Sequence, residues 1–193
     1  MTAAARRVAV APIGWMEAEP ARLERDSAEI AAFAPDVEFV SLSANAHHGY
    51  WTGVLPFWPF ERPVPDGLGE LTFVGGLKFA LYYKAAYPMV PPVVYALEPE
   101  PALVERTQNR WHVAPGGSLC LLQSDGAWTP EASIVELLLK AAGWRIEYAL
   151  MKAGLIERMS TNGIVSDSSR DELIAKAFQL KTPQHANEDG EQG

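Results

Sequence analysis

The spacing of apolar positions changes character several times along the chain. Between residues 17 and 33, Leu23, Ile30 and Phe33 fall near one face of a 3.6-residue repeat with Glu and Arg between them, which predicts a helix. Pro20 sits where a first helical turn tolerates it, and Pro35-Asp36 ends the run. From there the period becomes two. Val37, Phe39 and Leu42, then residues 50–57, 71–83 and 93–97, read as β-rich runs. Turn-forming stretches at 45–49, 63–69, Gly75-Gly76 and 87–92 separate them. With no helix expected between the runs, four strands should form an antiparallel meander.

Residues 98–117 have little periodicity and hold Pro101, Pro115, Gly116 and Gly117. They read as a long irregular surface segment, a kind of loop that tends to be functional. Residues 130–151 then predict an amphipathic helix carrying Ile134, Leu137, Leu138, Ile146 and Leu150, with Pro130 at its first position and Gly143 as a weak point. A last helix over 167–180 opens on Ser and Asp caps, and the polar tail 181–193 predicts disorder. There are no internal repeats. The fold class is α+β: one domain over 1–180, its core at about 17–152, with an extra C-terminal helix.

Composition narrows the function classes. A formal net charge of −8 repels phosphate backbones, so nucleic acid is not an expected general partner. No segment approaches the roughly 20 apolar residues of a membrane helix, and the N-terminus lacks the apolar stretch of a signal peptide. With a single cysteine, no intramolecular disulfide and no thiolate cluster can form. Together these predict a cytoplasmic protein without a membrane or metal partner.

That cysteine, Cys120, is the chief candidate for chemistry. A lone cysteine is commonly a small buried hydrophobe. Cys120, however, follows Pro115-Gly116-Gly117-Ser118 in an unpatterned segment just upstream of a helix. Such a place is accessible, and its backbone N–H groups can stabilise thiolate or oxyanion charge. His112 is the nearest histidine; it reads either as a structural hydrogen-bonder pinning the loop or as a general base. His47 and His48 lie in a turn and read as solvated rather than ligating.

Three local patterns then occur in order: Tyr87-Pro88-Met89-Val90-Pro91-Pro92 after an aromatic-rich strand, Gly117-Ser118-Leu119-Cys120 following His112, and Trp128-Thr129-Pro130 before a helix. With Gly75-Gly76 ahead of the third strand, this ordered set resembles the ubiquitin-conjugating enzymes, over residues 50–139. That family carries Tyr-Pro-x-x-Pro-Pro at the end of its third strand, a Gly-x-x-Cys active-site loop and a Trp-x-Pro beyond it. The prolines of 87–92 fix an extended crossing that cannot join a ladder; in the family that path borders the surface where activating enzymes and ligases dock. Trp128 and Pro130 would wedge the cysteine loop against the body, though Trp128 reads equally as core filling.

The resemblance implies that Cys120 takes the C-terminus of a ubiquitin-like protein from an activating enzyme as a thioester and passes it to an amine of a protein target, directly or through a ligase. It implies no metal or nucleotide cofactor, since the activating enzyme spends the ATP. Eukaryotic members carry His-Pro-Asn ahead of the cysteine, whereas this chain reads His112-Val113-Ala114. Asn109, backbone N–H groups near Gly116-Gly117, or a partner protein are the candidate substitutes for that asparagine. The altered pattern, with Trp144 late in the following helix, looks like the family's bacterial branch, whose operons are implicated in defence against phages. Two other readings stand beside this one: a non-catalytic binding module of the same fold, and a Cys-His hydrolase using Cys120 and His112.

Overall fold

The structure is a computed structural model that describes residues 14–42, 49–72, 75–122, 126–161, 163–165 and 168–181. His47, His48 and all of the tail except Lys181 lie outside the described residues.

The first helical region is two pieces, α1 (Trp15–Ala18) and α2 (Pro20–Phe33), parted at Glu19, whose extended φ leaves Pro20 free to start a new helix. Four strands follow: β1 (Glu38–Val40), β2 (Tyr50–Val54), β3 (Lys78–Tyr82) and β4 (Val93–Glu98). They pair antiparallel in sequence order, as the alternating pattern predicts. Trp51, Phe79, Leu81, Val94 and Ala96 are buried, while Tyr50, Tyr82 and Tyr95 form a half-buried row on other positions of the same strands.

Two expectations fail between β2 and β3. The apolar run 71–83 is not one strand: a short helix, α3 (Leu68–Thr72), precedes Gly75-Gly76, and only the later part pairs. The meander therefore does contain a helix in a connection. Leu68, 1% exposed, drives this by burying itself in the core. Gly76 earns its place sterically, since a Cβ there would collide with the carbonyl of Leu55. Leu55 N–H in turn donates to Leu77 O (2.8 Å), which extends the pairing beyond β2.

The long helix α4 (Ile134–Lys152) begins at Ser133, whose Oγ accepts from Val135 N–H. Pro130 is therefore not its first residue but part of the turn before it. Nor is the helix amphipathic throughout, because every residue from Ala141 to Met151 is buried. It runs through the middle of the molecule, and Gly143 does not break it. Gly143 instead lets the segment after the helix approach: a Cβ would stand 2.9 Å from Ile164 Cγ2. The last helix, α5 (Ser169–Lys181), packs on α3, and Arg62 ties it down through Asp171 (2.7 Å) and the carbonyl of Ile164 (2.7 Å). Among the described residues no helix is long and apolar enough to cross a membrane.

Candidate functional site

After β4 the chain is irregular, as its composition predicts, but it is firmly anchored. Two 3-10 turns, Glu105–Thr107 and Asn109–Trp111, carry the anchors. Glu105 is buried; its carboxylate accepts from Tyr148 Oη (2.8 Å), Ala102 N–H (2.7 Å) and Lys152 Nζ (2.9 Å). Burial alone would raise the Glu105 carboxyl, but these three donors together hold it below its ordinary value. The Trp111 ring lies tilted against Tyr148 with centroids 5.4 Å apart, and the Trp111 carbonyl accepts from Trp144 Nε1 (2.9 Å). Trp144 is thus a clamp on the segment leading to the cysteine.

From His112 to Cys120 the chain makes a short hairpin. Val113 bridges Leu119, Gly117 N–H donates to Ala114 O, and Cys120 N–H donates to His112 O (2.8 Å). The hairpin lies along the open edge of β4 through Leu119 N–H to Val94 O (2.8 Å) and a Tyr95–Ser118 bridge. Gly117 turns at φ +89° and sits close against the Arg106 guanidinium, a backbone state and an approach that suit glycine. His112 adopts the left-handed region at φ 49°, which ends the 3-10 turn and starts the hairpin.

Alternation along the hairpin then sets the site. Val113 and Leu119 are 5% and 8% exposed, so His112 and Cys120, paired across the hairpin and one position off, take the outward side. Cys120 is exposed, His112 half-buried. Surrounding atoms still exclude enough water to push the thiol above its ordinary value and the imidazole below its own. Cys120 Sγ carries no hydrogen bond among the described residues, and nothing charged adjusts its titration. The thiol is thus accessible, and none of the described residues activates it.

Asn109 is exposed; its carbonyl accepts His112 N–H (3.1 Å), and with His112 it lines a cavity of about 620 Å³. A second cavity, of about 510 Å³, adjoins the hairpin at Gly116 and Gly117 and is floored by Tyr82 and Tyr95.

The remaining motif residues meet in another cluster, which the sequence did not announce. Tyr87 is buried, and the Tyr87–Pro88 peptide is cis. Trp128 Nε1 donates to Pro88 O (2.8 Å), so the Tyr-Pro and Trp-Thr-Pro motifs touch directly. Arg22, on α2, joins them from beneath, donating to Tyr87 Oη (2.8 Å), Pro130 O (2.5 Å) and Ala132 O (2.7 Å). Its Nε also lies 2.9 Å from Asp26 Oδ1, an ion-pair contact whose N–H is aimed at the Tyr87 oxygen instead. Asp26, fully buried, accepts from Tyr83 and Tyr87 at Oδ2 (2.9 and 2.5 Å). Burial pushes the Asp26 carboxyl up, and the donors around it only partly offset that.

Pro91 is half-buried and Pro92 buried where the crossing enters β4. The signal for Arg22 and Asp26 was present as an i,i+4 pair, but that spacing usually marks a solvated helix face. Glu29, one turn on, accepts from Ser133 Oγ (2.6 Å) and Ile134 N–H (3.2 Å), so α2 also caps α4. Burial would raise Glu29, but the Ser133 and Arg25 bonds outweigh it and leave its carboxyl below the ordinary value.

Among the described residues no group of three or more His, Cys, Asp or Glu side chains is placed to hold a metal ion. No protein-family model matches the chain, and no curated protein matches it.

Proposed function

We propose that this chain is a ubiquitin-like-protein conjugating enzyme with the family's fold, and that Cys120 is its thioester carrier. One observation carries the reading: the sole cysteine is exposed on a short hairpin anchored to the edge of β4. Support comes from the packing of the Tyr87-Pro88 and Trp128-Thr129-Pro130 motifs against each other. Two motifs separated by 40 residues touch as parts of one surface would.

The chemistry suits an unactivated thiol. A thioester on an activating enzyme is already reactive, so the acceptor needs access and positioning more than a depressed pKa. Cys120 attacks the thioester carbonyl, its proton passes to solvent, and the activating enzyme's sulfur leaves as thiolate. In the second step an amine nitrogen attacks the new thioester. The C–N bond forms, the C–S bond breaks with its electrons on Cys120 sulfur, and the surplus amine proton goes to solvent. The backbone N–H of Gly116 and the side-chain amide of Asn109 are the donors this reading assigns to the oxyanion in place of the family's asparagine; Gly117 N–H is already spent on Ala114 O. His112 fixes the loop through its carbonyl bond to Cys120 N–H.

The partners on this reading are a ubiquitin-like protein, an adenylating activating enzyme, and a protein target reached directly or through a ligase. The setting we propose is a bacterial anti-phage operon. A neighbouring gene for an adenylating enzyme would support it, and the absence of one would count against it. The test is a non-reducing gel after mixing the protein with activating enzyme, ubiquitin-like protein and ATP. A reductant-sensitive adduct absent from Cys120→Ala is expected, and no adduct with the matched partners would overturn the reading.

The missing asparagine, where the chain reads His112-Val113-Ala114, favours a second reading, a binding module that keeps the fold without the transfer step. It predicts partner binding with no adduct in the same assay. The Cys-His hydrolase is weakest, because Cys120 Sγ bonds no base among the described residues.

A further inference from the structure

The cavity that shares His112 with the cysteine hairpin is lined by Asn109, Arg110, His112, Glu157, Arg158 and Thr161, with Met159 beneath. It is built from two stretches far apart in sequence. Met159 N–H donates to Arg110 O (3.2 Å), which locks the 3-10 turn Asn109–Trp111 to the segment after α4. Arg110, which accepts this bond, and Arg158, next to its donor, thereby line the same cavity.

Their charge is left over. Arg110 Nε bonds the neutral amide of Gln108 (2.9 Å), and its guanidinium lies 5.4 Å over the Trp111 ring, which fixes it without neutralising it. Neither arginine joins an ion pair among the described residues, although the cavity is also lined by Glu157. This is a locally cationic site in a chain of formal net charge −8. Elsewhere in the molecule Arg22, Arg62 and Arg106 are paired with carboxylates.

We propose that this cavity receives the acceptor segment of the target and selects acceptor amines flanked by Asp or Glu. The proposal rests on the transfer reading above and names its substrate class. The charge favours the acceptor segment as occupant. Its field repels an isolated ammonium, so the segment must bring carboxylates of its own, and guanidinium groups pair with these in bidentate geometry. An acidic flank thus provides the binding and brings the acceptor lysine to the cavity beside the cysteine hairpin.

The test uses fluorescent peptides with one central lysine and flanks of Asp and Glu, of Ser and Gly, or of Lys and Arg. Discharge of the Cys120-linked ubiquitin-like protein to each is normalised to the charged fraction, and binding to the uncharged protein is followed by anisotropy. The acidic peptide should lead the neutral one roughly three- to tenfold, the range that one or two solvent-exposed pairs supply, and the lead should shrink with salt. Arg158→Glu, and Arg110→Glu with it, should reverse the preference toward the basic peptide. Arg158→Glu alone keeps the test sound if loss of the Arg110 contact with Trp111 impairs folding. Equal use of all peptides, or a preference unaltered by Arg158→Glu, overturns the proposal. If Cys120 never charges, the transfer reading falls by itself. Anisotropy then decides whether the cavity binds acidic segments, and indifference there rejects that as well.

Discussion

Replacing Arg22 by Met removes the group that ties α2 to both loop motifs. Arg22 is 7% exposed and Asp26 is 0% exposed, so the substitution strands a carboxylate without its ion-pair partner in the interior. Breaking a buried pair from one side costs about 3–5 kcal/mol. The carbonyls of Pro130 and Ala132 also lose charged donors, each worth about 1–3 kcal/mol if no water replaces them. Against a total stability of about 5–15 kcal/mol, the variant should be folded but fragile. Protonation of Asp26 limits the loss. Its folded carboxyl is already raised above the unfolded value of 3.8, and removing Arg22 raises it further. A raised group is most favourable to the fold below its unfolded pKa and loses that advantage as pH rises through its folded pKa. The deficit of Arg22→Met should therefore be larger at pH 7.5 than at pH 5. Urea unfolding followed by tryptophan fluorescence measures both, and Arg22→Met/Asp26→Asn should recover part of the loss, since no charge is then left stranded. A single variant within about 1 kcal/mol of the parent, or a deficit that grows on acidification, would refute the reasoning.

Gly143→Ala should destabilise by about 1–3 kcal/mol in the same unfolding assay, because overpacking against Ile164 outweighs the roughly 1 kcal/mol propensity advantage of alanine in a helix. A gain in stability would mean that Ile164 yields at no cost. Glu105→Gln should cost about 1–3 kcal/mol near neutral pH, as three donors lose their charged acceptor. Since the folded Glu105 carboxyl is lowered, its contribution is present above the unfolded value of 4.5 and disappears as pH falls through the folded one. The variant should thus converge on the parent in acid, and a constant deficit would argue against the charged bonds. Cys120 should react with iodoacetamide more slowly at pH 7 than a free cysteine and accelerate through pH 9 and beyond, in keeping with its raised pKa. Fast alkylation at pH 7 would expose an activating group that this account lacks.

Which parts of the fold could be read from the sequence follows from how local each cause is. The meander was legible because period-two burial is written residue by residue, as in β4, where Val94 and Ala96 are buried on either side of half-buried Tyr95. The helix Leu68–Thr72 was not, because its apolar residues abut those of β3 and the break at Gly76 depends on a distant carbonyl, Leu55 O. The start of α4 was misplaced for a similar reason. Pro130 is a plausible first helical residue by itself, but its carbonyl is claimed by Arg22, and Ser133 is held by Glu29. At the site, Cys120 and its glycine turn were visible as local signals. The anchors Glu105, Trp144 and Arg22 were not, since each acts through a partner more than 30 residues away.

The central claim, that Cys120 carries a ubiquitin-like protein as a thioester, is tested most directly by exchanging sulfur for oxygen at that atom. Intact mass spectrometry of the parent chain, after incubation with activating enzyme, ubiquitin-like protein and ATP, should show one added ubiquitin-like protein that a reductant removes. Cys120→Ser should show the same added mass as an ester that the reductant leaves in place, and Cys120→Ala should show none. No adduct on the parent chain while the activating enzyme itself is charged, or an adduct that persists in Cys120→Ala, would contradict the account.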